Sequence, residues 1–207
     1  MKTIIISTLA LTAITFAACN NNQPATSETQ HSDSTAAAHH ETAPAEKTLA
    51  TVKPQFTDVS PATATALKAV IDSYLQLKNG LAADDDAATA KAAEAMSAAL
   101  AKVDASQLTP EQKKIYAANE EDLKEHAEHI SKNTGNIEHQ REHFAQMSED
   151  IYELAKAFGG GQPLYHAHCP MYNNNKGALW LSESSEIKNP YMGAKMANCG
   201  VMEELIQ

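Results

Sequence analysis

Seven-residue steps of large apolar side chains restrict what the middle of this chain can become. Tyr116, Leu123 and Ile130 recur by sevens, and so do Ile137, Phe144, Ile151 and Phe158, with Met147 and Leu154 between them. That spacing marks one face of a helix and implies shallow crossing angles between packed helices. Start and stop signals frame both rows. Thr109-Pro110-Glu111 supplies a cap residue with proline at the first helical position, Asn133-Thr134-Gly135-Asn136 forms a break, and Gly159-Gly160-Gly161 ends the second row. Upstream, Ser60-Pro61 opens a stripe of Leu67, Val70, Ile71, Tyr74, Leu75 and Leu77 that Asn79-Gly80 is expected to stop. Asp84-Asp85-Asp86 then opens an alanine-rich helix to about Val103, carboxylates being favourable at the positive helix end. The expected fold is all-α, an antiparallel up-down four-helix bundle. A small C-terminal lobe, about 162–207, is expected to add a short strand or hairpin and a short helix.

The first residues have a different character. Lys2 precedes the apolar run IIISTLALTAITFAA, which is too short for a comfortable bilayer span and ends at Cys19 before a polar Asn-Asn-Asn-Gln tract. Residues 1–18 read as an export signal. Phe16-Ala17-Ala18-Cys19 resembles the lipobox of bacterial lipoproteins, with phenylalanine where leucine is usual. The resemblance implies cleavage before Cys19, lipid on Cys19, and a mature chain anchored to a membrane of the cell envelope without spanning it.

Residues 19–57 are rich in Gln, Thr, Ser, Ala and Pro and poor in large apolar side chains, so they read as a disordered tether. His31, His39 and His40 lie in it and suit a solvated linker better than a formed site. Loss of residues 1–18 removes only Lys2 and moves the formal charge from −10 to −11. An acidic chain without a basic cluster offers no footprint for nucleic acid. The remaining 150 residues, 58–207, suffice for one domain.

Folding the third helix onto the fourth about the 133–136 turn brings His126 near His143, and His129 near His139 or Gln140. Spacings of three and four put each pair on one helical face, as two ligands to one ion require. A buried, hydrogen-bonded His126 on an otherwise solvated glutamate-rich face is the competing reading.

Soft sulfur atoms are concentrated in two further stretches, YHAHCPM and NPYMGAKMANCG. An extended segment around Pro170 would aim Cys169 and Met171 the same way. A short helix after Asn189-Pro190, ended by Gly200, would place Met192, Met196 and Cys199 on one face. The two sets could converge on one ion, and mixed thiolate and thioether donors favour Cu(I), with Ag(I) or zinc as less favoured ions. Equally, two nearby cysteines in an oxidising compartment form a disulfide. Here that bond would close a loop of about thirty residues and add roughly 3 kcal/mol, leaving the methionines as core filler.

The blocks Gln140-Arg141-Glu142-His143-Phe144, Cys169-Pro170-Met171, Gly177-Ala178-Leu179-Trp180-Leu181-Ser182, Ile187-Lys188-Asn189-Pro190-Tyr191, Gly193, Met196 and Cys199-Gly200 together resemble an uncharacterised domain of bacterial envelope proteins. That domain occurs in small lipoproteins and fused to periplasmic adaptor subunits of heavy-metal efflux pumps. The resemblance implies a helical bundle with a metal-associated C-terminal lobe and a part in copper or heavy-metal handling, with an efflux-pump component as partner. Its implied ligands are Cys169, Met171, Met196 and Cys199, with His143 reaching from the fourth helix. His166 and His168 depart from the pattern.

No nucleophile elbow, phosphate-binding glycine loop, dinucleotide fingerprint or His-Glu-x-x-His pair is present, and no Cys-x-x-Cys-His haem motif, so a binding role is expected in place of catalysis. The expected function is that of an envelope lipoprotein binding a soft ion. The alternative is a disulfide-stapled helical interaction module without metal.

Overall fold

The computed structural model describes residues 48–207; the expected export signal, Cys19 and most of the expected tether lie outside them. Four long helices dominate: α1 Pro61–Ala82, α2 Asp86–Leu100, α3 Pro110–Lys132 and α4 Ile137–Phe158. Each starts on the cap that its sequence supplies. Ser60, Asp85, Thr109 and Asn136 each accept a backbone N–H from the first turn, and Thr109 forms a full capping box with Gln112. Gly159 ends α4 at φ 79°.

Successive helices pack on one another and α1 returns to α4. Their shared core holds Leu77, Leu81, Met96, Leu100, Tyr116, Leu123, Ile130, Phe144, Met147 and Ile151, all at 1% exposure or less. Among the described residues no helix is long and apolar enough to cross a membrane.

The fold is not all-α. Four strands form one mixed sheet: β1 Ala50–Val52, β2 Leu164–Cys169, β3 Ala178–Ser182 and β4 Val201–Ile206, in the order β1-β4-β2-β3. The expected hairpin is there, as β2 pairs antiparallel with β3 from Tyr165↔Ser182 to Cys169↔Ala178. β4 adds to the other side of β2, and β1 pairs in parallel with β4. β1 comes from the stretch that composition assigns to the tether, so the fold begins earlier than residue 58. Backbone bonds from Gln55 and Phe56 to the carbonyls of Lys156 and Ala157 (both 2.9 Å), and a Phe56–Phe158 ring contact at 5.3 Å, hold this segment to the end of α4. Three residues, two of them exposed, carry too little pattern to reveal a strand whose partner lies 154 residues on, as Ala50 pairs with Glu204.

A second difference concerns Asn79-Gly80. α1 passes through both and ends at Ala82, with the left-handed residue Asp84 (φ 56°) making the turn. Gly80 is fully enclosed because α2 crosses there. A Cβ on it would lie 2.5 Å from Thr89 Oγ1 and 3.0 Å from the Thr89 backbone nitrogen. Glycine here permits close helix packing rather than ending the helix. Gly80→Ala is therefore expected to destabilise the protein by about 2 kcal/mol, overpacking against backbone outweighing a helix-propensity gain of about 1 kcal/mol. Urea titration followed by circular dichroism measures it, and a neutral or stabilising result would restore the stop-signal reading.

The sheet lies against α4 and α1 through a buried polar seam. The Tyr74 hydroxyl accepts from the Leu181 N–H (3.0 Å) and donates to Ser148 Oγ (2.9 Å), which in turn donates to the Phe144 carbonyl (2.8 Å). Lys78, 2% exposed, reaches the end of β3, pairing with Glu183 at 2.7 Å. Buried polar groups with defined partners fix which face of the sheet meets which helix.

Candidate metal centre

Sheet register is what brings the two sulfur-bearing stretches together. β2 ends at Cys169 and β4 starts at Val201, antiparallel, with His168 opposite Val201. The residues just before β4 therefore lie beside the last residue of β2. Cys169 Sγ and Cys199 Sγ are 3.6 Å apart, both as free thiols, Cys169 buried and Cys199 half-buried. Gly200 between them and β4 sits at φ 146°, where a Cβ would strike Trp180 at 2.7 Å and approach the His168 carbonyl at 3.1 Å. Glycine is required for the strand to close over the indole.

Asn189 holds the loop that presents Cys199. It is fully buried, its Oδ1 accepts from the N–H groups of Tyr191 (2.8 Å) and Met192 (3.0 Å), and its Nδ2 donates to the Cys199 carbonyl (2.5 Å). The expected short helix over this stretch reduces to one 3₁₀ turn, Gly193–Met196, in which Met192 is the preceding residue. Met196 nevertheless stays within a turn of Cys199, whose N–H donates to the Met196 carbonyl at 3.0 Å. Burial first, then the adjacent Cys169 thiol, push the Cys199 thiol above its ordinary range, so an incoming ion must displace a proton.

Met171 departs from the extended geometry expected around Pro170. The strand ends at Cys169, Met171 is in the helical backbone region (φ −92°, ψ −16°), and its side chain is 48% exposed. After it, Asn173, Asn174 and Asn175 make a left-handed turn at φ 51°, 57° and 64°, a conformation asparagine tolerates better than most residues. Alternation along a strand therefore does not carry Met171 to the Cys169 side.

His143 is also placed differently. It faces α3, where its Nδ1 lies 3.1 Å from His126 Nδ1 and its ring stacks on His129 at 4.4 Å. The sheet meets α4 on the other side: Tyr152, nine residues on and so about 180° around the helix, bonds Glu204 (2.6 Å) and stacks on His166 (4.4 Å). The structure thus separates the implied five-residue set into a thiol pair in the lobe and a histidine cluster on the hairpin. That cluster follows the register read from the turn, His126 meeting His143 and His129 meeting His139. Desolvation holds His126 and His143 below the usual imidazole range, and for His143 the neighbouring imidazoles add to it.

His166 and His168 line a groove of about 260 Å³ with Glu149, Lys176 and Glu203. His166 is 7% exposed, neither ring nitrogen has a hydrogen-bond partner, and Glu203 is the nearest carboxylate at 3.6 Å. Burial lowers its basicity against the pull of Glu203 and Glu204.

Two residues that organise the lobe have roles that the sequence does not show: Asn189 looks like a helix cap and Arg141 like one more polar residue of its motif block. Arg141, in the middle of a polar run, is 4% exposed and joins three elements: Nε donates to the Pro190 carbonyl (2.8 Å), Nη2 to the Leu81 carbonyl (3.0 Å) and to Asp84, and Nη1 to Glu138 (3.0 Å). A single arginine among glutamates on an amphipathic helix gives no signal of burial.

Residues 70–162 match the family described as "Protein of unknown function (DUF3347)". The match runs from α1 to just past α4 and stops short of β2, so both cysteines lie beyond it. It agrees with an uncharacterised domain of unknown function. No curated protein and no solved structure matches the chain.

Proposed function

We propose that this chain binds a soft metal ion, Cu(I) foremost, through Cys169 and Cys199, serving as a chaperone, buffer or efflux accessory in the bacterial cell envelope. The 3.6 Å approach of two free thiols carries this reading. With metal–sulfur bonds of about 2.3 Å, that separation subtends about 103° at the ion. Such a bent pair leaves room for further donors. Met196, one turn from Cys199, would supply a thioether. Thiolate with thioether is a set that hard ions do not favour. Anchoring through lipid on Cys19, and an efflux-pump component as recipient, belong to the same proposal; both concern residues or partners outside the described structure.

Thiol alkylation of protein purified without reductant, followed by Cu(I) titration against a chromogenic chelator, tests it. Both thiols should alkylate, Cu(I) should protect them, and the Cys169→Ser/Cys199→Ser pair should lose tight binding while keeping its helical circular dichroism. Thiols that react only after reduction, in protein that takes up no copper, would support the disulfide-stapled module.

A further inference from the structure

The α3–α4 hairpin carries a second donor set, free of sulfur and turned away from the sheet. One ligand atom from each of His129, His139 and His143 falls within a 4.8 Å cluster. The His139 ring stands edge-on to His143 at 4.6 Å, and His129 stacks on His143 at 4.4 Å. A tetrahedral ion with bonds of 2.0–2.1 Å needs ring nitrogens about 3.3 Å apart. Closing that gap asks for small rotations of side chains that are exposed or half-buried, not for movement of either helix.

Two neighbours already occupy the nitrogens that a ligating imidazole leaves unused. His139 Nδ1 is 3.2 Å from Glu142 Oε2, and His143 Nδ1 is 3.1 Å from His126 Nδ1. An imidazole that donates its Nδ1–H to a fixed acceptor keeps a lone pair on Nε2, and a carboxylate in that outer position strengthens the ligand. Caps at Asn136 and the Asn133–Asn136 turn fix the relative register of the two helices, so the cluster stands on rigid backbone.

We propose that His129, His139 and His143 form a site for a borderline divalent ion, Zn(II) or Cu(II), with Glu142 and His126 as positioning residues and a fourth coordination position open to solvent. All-imidazole donors suit these ions and not Cu(I) with its preference for sulfur, so the site is distinct in chemistry from the thiol pair.

The test uses the full chain with Cys19, Cys169 and Cys199 replaced by serine, or the unmodified chain with its thiols occupied by Ag(I) should that variant not fold. Zn(II) is titrated against a competing dye, and Co(II) binding is read from its visible absorption. The expected result is one ion per chain, weakened about 100-fold or more by His143→Ala or His129→Ala and about 10-fold by Glu142→Gln, with the metal-free melting temperature unchanged. Absence of binding at micromolar Zn(II) would overturn the proposal. So would binding that persists in the His129→Ala/His139→Ala/His143→Ala variant, which would assign the ion to other donors such as His31, His39 and His40.

Discussion

Replacing Arg141 by methionine is expected to cost about 4 kcal/mol of stability and to loosen the C-terminal lobe before the helices. Methionine can fill much of the volume, so the loss is not one of packing. It comes from stranding polar groups: the Pro190 carbonyl loses its buried donor, the Leu81 carbonyl keeps only the Asp84 N–H, and the Asp84 carboxylate loses its arginine while still facing the Ala194 N–H. Removing one partner from a buried charged network costs about 3–5 kcal/mol, far more than the network adds when intact. Gly193 shows how tightly the site is built, since at φ 52° any Cβ would run into Asp84 and Arg141. Hydrogen exchange should show amides of β3 and of residues 189–199 losing protection ahead of α2 and α3. Uniform loss across the chain would mean that lobe and helices form one cooperative unit, against this expectation.

Trp180→Ala should destabilise by a similar amount, about 4 kcal/mol, through the cavity it leaves. Trp180 is fully buried, edge-on to Tyr191 at 6.0 Å and in contact range of Gly200. Trp180→Phe should cost only about 1 kcal/mol. The indole Nε1 is buried without an acceptor, so phenylalanine removes an unpaired donor as it removes contact area. The two variants together separate packing from polarity in denaturant titrations. The alanine variant should also expose Cys169, seen as faster reaction with a thiol reagent; an unchanged rate would show that something other than the indole covers that sulfur.

The four helices could be read from sequence because their periodic apolar rows are long and bounded by local chemistry: Thr109-Pro110 and Asn136 at starts, Gly159 at a stop. The histidine cluster was legible for the same reason, a short turn between two capped helices leaving little freedom of register. Gly80 misled because the same residue type serves a helix end and a close crossing, and only Thr89, brought in by tertiary packing, decides between them. Of the sheet only the hairpin was expected; β1 and β4 were missed. Leu164–Cys169 is a strand whose inward positions include His166 and Cys169, residues that look like ligands, and a register shift between His166 and Ala167 leaves these two neighbours both buried and breaks the alternation. The thiols do meet, but through strand register rather than through a helical face. His143 carried two conflicting expectations, the turn register setting it against α3 and the family resemblance against the lobe; α4 is covered by α3 on one side and by the sheet on the other, and the register was the one that held.

The position of β4 in the sheet bears on how the domain is made. Its six residues, 201–206, lie between β1 at one end of the folded unit's sequence and the β2–β3 hairpin. A chain emerging from its N-terminus can assemble helices as it goes, yet β1 must wait until residue 206 has appeared before it gains a partner. Contacts of such long sequence separation form slowly, so the sheet closes, and the two cysteines meet, only after β4 has been made.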